Sequence, residues 1–191
     1  MLIIYIFAYI VYAGFFVIER FVRRGQDTKN MSRTTHDKGS TTFISIVMGM
    51  AIILLPISPL LNWLGIGEIC ILWISILGLF FGIAGLITRY IAFTTLGRFF
   101  SRTLREAENH TLITTGVYKY IRHPGYLSDL LIFIGTAWAM SNLIPVITIP
   151  ITFAAAYTYR IHIEEKMLIE IFGEQYREYR STSKRLIPFV F

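Results

Sequence analysis

The sequence predicts an all-α integral membrane protein of about five transmembrane helices, with a short helix 4–5 hairpin and a cytoplasmic C-terminal amphipathic helix. Three observations predict it. The 191 residues are 54% hydrophobic and only 16% charged, with a mean hydropathy of +0.58, where ordinary globular domains carry roughly 25% charge. The apolar residues are concentrated: Leu2–Ile18, Thr41–Gly67, Ile69–Thr88 and Leu130–Tyr159 contain no Asp, Glu, Lys or Arg. All 18 Lys and Arg fall in three blocks, Arg20–Lys38, Arg89–Arg122 and Arg160–Arg185.

Each element follows in order. A crossing helix needs about 20 apolar residues to span a hydrocarbon core ~30 Å thick. Leu2–Ile18, at the short end, supplies the first; Thr41–Gly67 and Ile69–Thr88 supply the second and third. The first is read as a retained helix, because its charges follow the apolar stretch and no small-residue cleavage site succeeds it. The fourth run is too long for one helix and is interrupted by Ser141-Asn142 and Pro145. It reads as a hairpin of helices near Pro124–Met140 and Leu143–His162, the first arm short enough to enter the bilayer without fully crossing it. Five crossings place all three basic blocks on one side, and the Asn62–Glu68 and Ser141-Asn142 turns on the other. The positive-inside rule makes the basic side cytoplasmic and the N-terminus external.

The net charge of +6 is therefore explained by lipid-facing positive loops, and no nucleic-acid partner is expected: no basic strip carries interleaved stacking aromatics. Cys70 is the single cysteine, which excludes an intramolecular disulfide, and no Cys/His spacing suggests a metal. The chain divides into residues 1–95, three helices and a basic loop, and residues 96–191, which hold nearly all the side chains suited to chemistry.

Two stretches of the second half stand out. In Glu108–Tyr126, the chain turns at Thr115-Gly116 and reaches Arg122-His123-Pro124-Gly125-Tyr126. Pro124 suits the first position of a helix, where its missing N–H would be unpaired anyway. His123 is then the cap of the fourth helix, and a helix start favours a carboxylate. The bland alternative, interface residues and a Pro-Gly turn, stays open on spacing alone. In Arg160–Pro188 the fifth helix turns amphipathic. Arg160 and Glu164 are four apart and share one face, either as a surface ion pair of little worth or as lining of a site at membrane depth. Ile161, Glu165 and Leu168 follow an adjacent face. Gly173 breaks the helix, and Glu174–Arg180 reads as a short surface helix. Asp129 is a site residue or an interfacial cap; His162 reads as structural.

The pattern HTLITTGVYKYIRHPGY, a helical hairpin, then R-x3-E-E-x2-L-x3-F-G-x2-Y-x2-Y and R-L-I-P, closely resembles the isoprenylcysteine carboxyl methyltransferase family, as a prokaryotic, archaeal orthologue would. The resemblance covers about His110 to Pro188. Related phospholipid N-methyltransferases and the C-terminal half of some sterol reductases share the RHP-x-Y and E-E elements. The resemblance implies S-adenosylmethionine as cofactor, with S-adenosylhomocysteine as product, held in a cytoplasm-facing pocket without a soluble Rossmann domain. It also implies a prenylated cysteine or prenylated protein C-terminus as substrate, reached through the lipid bilayer. Carried over by position, His110, Thr111, Leu112 and Ile113 line the adenosine and Tyr118 packs on the cofactor. His123, Pro124, Gly125 and Tyr126 wrap it, Glu164 binds it, and Arg160 faces the substrate carboxylate as the catalytic, substrate-binding residue. Gly125 departs from the Ser of animal members, which leaves backbone contacts available.

The chemistry of the residues agrees. A carboxylate is ionised at pH 7 and needs no general base, whereas an amine acceptor such as phosphatidylethanolamine would need one, with His123 or Glu165 as candidates. A bidentate arginine suits a carboxylate and is unhelpful beside a cationic amine. A sterol-type reductase would need a dinucleotide fingerprint that the chain lacks, and a scaffold or transporter leaves the Arg160–Glu164 face unexplained.

Overall fold

A backbone in lipid must satisfy its own hydrogen bonds, so the long apolar runs fold as helices. The computed structural model describes residues 1–23, 38–69, 71–96 and 112–187. Six α-helices follow in chain order: α1 (Leu2–Arg23), α2 (Ser40–Trp63), α3 (Leu72–Leu96), α4 (Pro124–Ala139), α5 (Leu143–Phe172) and α6 (Glu174–Thr182). A short 3-10 helix, Gly116–Lys119, precedes α4. Four helices, α1, α2, α3 and α5, are long and apolar enough to cross a membrane. With 16 residues, α4 is about 24 Å long at 1.5 Å per residue, the short first arm of the expected hairpin.

The helices alternate in direction, and hydrogen bonds fix the two ends of the bundle. At one end the Asn62 amide donates to the Met140 carbonyl at 2.9 Å and to the Tyr5 hydroxyl at 3.1 Å. There Asn142 donates to Asn62 Oδ1 at 2.7 Å, caps α5 by accepting from the Ile144 N–H, and Ser75 meets Ser141 at 2.5 Å. These contacts seal the α2–α3 turn against the α4–α5 turn, with Ser141 in the left-handed region at φ 52°. Trp63 and Trp73 stand almost fully exposed at this end, where indole rings favour the membrane interface. Glu19, Ser40, Arg89, His123 and Arg160 lie at the other end, joined by contacts described below.

Close approach of α3 and α4 sets the frame. Ser75, Gly78, Gly82, Gly85 and Arg89 form one buried stripe along α3, spaced alternately three and four residues apart. A methyl group on Gly78 would lie 2.5 Å from the Gly135 carbonyl oxygen, and one on Gly135 2.5 Å from the Gly78 oxygen and the Gly82 nitrogen. Only glycine allows backbones this near, the device that packs helices in lipid where no hydrophobic force draws them together. Beside this pair, Phe15 of α1 meets Phe133 of α4 edge to face at 5.0 Å, and Phe133 meets Phe153 of α5 in a tilted contact at 5.1 Å. Leu55, Ile132 and Ile149, all fully buried, complete the core with them. Pro56 cannot donate to the Ile52 carbonyl four residues back; the Tyr12 hydroxyl of α1 donates to it instead, at 2.9 Å.

Two helices run further than their uncharged stretches predict. α1 extends past Ile18 to Arg23 and α3 past Thr88 to Leu96, while α5 continues beyond the membrane run to Phe172 and ends at Gly173, as expected. Reading boundaries from the first charge fails here because charges inside the helices find partners, so the backbone has no reason to stop. α3 also starts later than Ile69. Glu68 pairs instead with Asn142, the Ile69 N–H donating to the Ser141 carbonyl at 2.9 Å.

Candidate functional site

The segment leading into α4 is held on two sides. Gly116 has φ 59°, a left-handed turn that glycine adopts without penalty, and sits against Thr95 at the end of α3. Tyr118 is buried, and its carbonyl accepts from the Tyr179 hydroxyl of α6 at 2.6 Å. Residues 120–123 then run beside the C-terminal tail. Lys184 N–H donates to the Tyr120 carbonyl at 2.9 Å, and Arg122 and His123 N–H donate to the Lys184 and Arg185 carbonyls at 2.8 and 3.1 Å. Burial pushes the Tyr179 phenol up to about 12, against the lowering influence of Arg122 and the Ser183 hydrogen bond. Burial also raises the Tyr118 phenol, as do the negative charge of Glu164 and the neighbouring Tyr179.

His123 is the N-cap of α4 and Pro124 opens its first turn, as the sequence predicts. One turn on, Tyr126 meets α5. Its hydroxyl donates to Glu164 Oε2 at 2.6 Å and accepts from Arg160 Nε at 3.2 Å. Arg160 Nη1 also donates to Ser40 at 2.8 Å and Thr41 at 3.1 Å, at the start of α2. Arg160 and Glu164 thus share a face as expected, and that face points at Tyr126. Arg160 is buried, whereas the Glu164 side chain keeps 24% exposure and is the accessible charge of the pair. His123 stacks on Tyr126 at 5.5 Å, with Nδ1 3.8 Å from Glu164 and Nε2 3.6 Å from Glu165. Neither distance is a hydrogen bond, and Nε2 has no partner among the described residues. Among the described residues, a Cβ on Gly125 would meet nothing within 4 Å, which leaves the backbone at the head of α4 uncovered by them.

Glu165, one residue further, turns to the tail. It accepts from Arg122 Nε at 3.0 Å and Arg185 Nε at 3.2 Å. Arg122 in turn donates to the carbonyls of Ser183 and Arg180. Charged neighbours occupy this carboxylate on both oxygens, which leaves it poorly placed to accept a proton.

Behind Tyr126 lies a second charged group. Arg89 of α3 pairs with Glu19 of α1 and Asp129 of α4, and its guanidinium sits 4.6 Å from the Phe15 and Phe93 ring centres. Asp129 Oδ2 accepts from the Tyr157 hydroxyl of α5 at 2.7 Å. Asp129 is therefore a partner in a buried ion pair, not an exposed interfacial cap.

The structure brings Tyr126, His123, Arg160 and Glu164 together, with Pro124 and Gly125 framing them. Leu112 and Ile113 are half-buried, and Tyr118 is buried against α6, near enough to Glu164 for that charge to act on its phenol; His110 and Thr111 lie outside the described residues. His162 is exposed on α5. Gly173 breaks the chain between α5 and α6 at φ 56°, and the amphipathic reading of α6 is met by the buried Tyr176 and Tyr179.

Residues 76–170, from α3 through most of α5, match the isoprenylcysteine carboxyl methyltransferase (ICMT) family model. The chain belongs to the isoprenylcysteine carboxyl methyltransferase family. The protein-S-isoprenylcysteine O-methyltransferase B of Arabidopsis thaliana is 38% identical over 120 residues, 62% of this chain and 61% of that protein. The Homo sapiens protein-S-isoprenylcysteine O-methyltransferase is 34% identical over 122 residues, 63% of this chain and 43% of that protein. The fold is similar to a solved structure of the eukaryotic intramembrane Ras methyltransferase ICMT. The TM-score is 0.55 at 30% identity, covering 82% of this chain and 55% of that one. The chain spans less than two thirds of the length of these curated relatives. The matched region of the family carries the whole Tyr126 cluster and Arg89, and apolar helices with this membership make the chain an integral membrane protein.

Sequence reasoning missed Ser40, Thr41, Glu19 and Arg89, because it looked for chemistry only in the second half, and Tyr157, which sits within the uncharged run Leu130–Tyr159 and reads as membrane-helix bulk. One signal was available. Arg89 continues the three-and-four spacing of Gly78, Gly82 and Gly85, and a charge in register with a small-residue stripe faces protein, not lipid. Nothing local marks Ser40 and Thr41, whose role depends on a contact about 120 residues away in sequence.

Proposed function

We propose that this chain transfers a methyl group from S-adenosylmethionine to the α-carboxylate of a C-terminal isoprenylcysteine, forming a methyl ester at the cytoplasmic side of the membrane. The observation that carries this reading is the meeting of Arg160 and Glu164 at the Tyr126 hydroxyl, one turn inside the start of α4. A cation and an anion from adjacent turns face the same small region. Family membership already implies a methyl donor. S-adenosylmethionine, when bound, supplies an electrophilic methyl group on a sulfonium.

The residues suit that ligand. Glu164 is partly exposed and offers a negative charge to a cationic amino acid. Its hydrogen bond from Tyr126 fixes one oxygen and leaves the other with acceptor capacity. The backbone at Gly125 and the N–H groups of the α4 start provide polar contacts for the remainder of the molecule. Tyr118, Leu112 and Ile113 border it on this reading, with His110 and Thr111.

Arg160 holds the acceptor carboxylate. Ser40 and Thr41 grip one end of its guanidinium and Tyr126 the Nε, which sets the plane of the fork before substrate arrives, and orientation of this kind lowers the barrier of an in-line displacement. The acceptor is ionised at neutral pH, so no base is called for. The prenyl chain partitions into lipid with ~0.8 kcal/mol per CH2 and approaches laterally, while the cofactor enters from the cytoplasm. The basic end of the bundle faces the cytoplasm and the N-terminus lies outside, following the positive-inside rule.

The test is methyl transfer from labelled S-adenosylmethionine by the purified protein, with farnesylated cysteine and phosphatidylethanolamine as parallel acceptors. Base-labile label on the prenylcysteine is expected. Arg160→Lys, which cannot span Tyr126 and Ser40 together, should lower kcat/KM by about 10–100-fold, the worth of one to two charge-assisted hydrogen bonds. Label on the lipid amine alone, or full activity in Arg160→Ala, would overturn the reading.

A further inference from the structure

Tyr126 carries two of the contacts on which the proposed reaction depends, and its ring is clamped. His123 covers one face at 5.5 Å and 14°, and Tyr157 covers the other at 4.9 Å and 25°. His123 is fixed by its backbone at the α4 cap. Tyr157, on α5, has its own anchor: its hydroxyl donates to Asp129 Oδ2, and Asp129 is gripped through Oδ1 by Arg89. Arg89 is itself held by Glu19 and by the Phe15 and Phe93 rings. The series runs from α1 and α3 through α4 to α5, and every member is buried except the partly buried Tyr126.

We infer that Tyr157, anchored by Asp129 and Arg89, is a positioning residue that holds Tyr126 in the orientation its hydroxyl needs to engage Glu164 and Arg160 together. The helical spacing makes this a single device. Tyr126 and Asp129 are one turn apart on α4, and Tyr157 and Arg160 are one turn apart on α5, so the two helices face each other in matched pairs. Tyr157 locks the α4–α5 register at the Asp129 level, and the Tyr126–Arg160 contact repeats the lock one turn closer to the site. A ring held only by stacking can rotate in its plane and slide. The Asp129 bond removes that freedom from Tyr157, and the stack passes the constraint to Tyr126. Arg89 contributes by holding Asp129 through Oδ1, which leaves Oδ2 aimed at the Tyr157 hydroxyl.

The inference rests on the proposed methyl transfer for its kinetic consequence only. The experiment uses the full chain in lipid nanodiscs, labelled with 3-fluorotyrosine, comparing wild type with Tyr157→Phe, which keeps ring and stack and removes only the anchor. The Tyr126 fluorine resonance is assigned by its loss in Tyr126→Phe. In Tyr157→Phe that resonance should move and broaden. The kcat for farnesylated cysteine should fall about tenfold, the scale of one hydrogen bond to a charged group, with KM for the prenyl acceptor unchanged. Tyr157→Leu, which also removes the stack, should fall further. An unmoved Tyr126 resonance overturns the inference even if the melting temperature drops, because the residue would then be structural alone. An unchanged kcat in an active enzyme overturns it too. If wild type methylates no prenylcysteine while the Tyr126 resonance still moves in Tyr157→Phe, the functional reading fails and the positioning role stands.

Discussion

Replacing Gly135 by alanine should separate α3 from α4, and the structure sets the size of the effect. The new methyl group would lie 2.5 Å from the Gly78 carbonyl oxygen and the Gly82 nitrogen. Both are backbone atoms of a packed helix and cannot swing aside. Ordinary contact requires about 3.4–3.5 Å, so the axes must part by about 1 Å. Contacts between the two helical hairpins on either side of this crossing would feel it. The Ser75–Ser141 bond at 2.5 Å and the Arg89–Ser128 bond at 3.2 Å would each lengthen toward or past the hydrogen-bonding limit. Overpacking of this kind costs about 1–3 kcal/mol. A displacement of 1 Å at the reacting groups can cost about a hundredfold in rate. The assay is thermal unfolding in detergent followed by circular dichroism, beside turnover in the same preparation. Gly49→Ala is the control, since a Cβ there meets nothing within 4 Å and alanine is the better helix former by up to about 1 kcal/mol. Gly135→Ala should melt lower and turn over more slowly, while Gly49→Ala should not melt lower. Equal melting temperatures for the two would refute the argument that glycine is required by the α3–α4 approach.

Two further outcomes follow from the tail. Glu165→Gln removes the charge that Arg122 and Arg185 share, and breaking such a buried pair costs about 3–5 kcal/mol; limited proteolysis should cut within residues 183–187 faster than in wild type, and equal rates would refute the clamp. Burial pushes the Tyr179 phenol up to about 12 in the folded chain, against about 10 in the unfolded chain. Its raised value contributes stability that is complete below pH 10 and is lost as pH rises through 12. Tyr179→Phe should therefore flatten the alkaline fall in melting temperature across that window, and an unchanged slope would refute the assignment.

Much of this architecture was legible because lipid imposes few solutions. Uncharged runs of sufficient length had to become helices, and grouped lysines and arginines had to share one end; the Ser141-Asn142 break, the Pro124 start and the Gly173 break each followed from local backbone chemistry. The Arg160–Glu164 face was legible from the four-residue spacing alone. What escaped was every contact whose evidence lies in a second helix. Arg89 looked like the first residue of a basic loop, and only its pairing with Glu19 and Asp129 explains why α3 continues beyond it. Ser40 and Thr41 looked like the start of a greasy helix, yet they hold the arginine on which the proposed chemistry turns.

The two arginines explain why so small a helical bundle keeps charges at all. An unpaired charge in lipid is costly, and a fully neutralised one has nothing left to offer a ligand. Arg89 is enclosed by two carboxylates and two aromatic rings, and it fixes α1, α3 and α4 to one another. Among the described contacts, Arg160 donates to the hydroxyl groups of Ser40, Thr41 and Tyr126, which set the plane of its guanidinium. Arg89 is the strut, and on the proposed reading Arg160 is the group prepared for an anion, because it meets Tyr126 beside the partly exposed Glu164 at the head of α4. It makes a sharp contrast: Ser40→Asp, which places a carboxylate against Arg160 Nη1, should abolish transfer to prenylcysteine while the protein melts no lower than wild type. A large loss of stability in that variant would instead mean that Arg160 is a second strut.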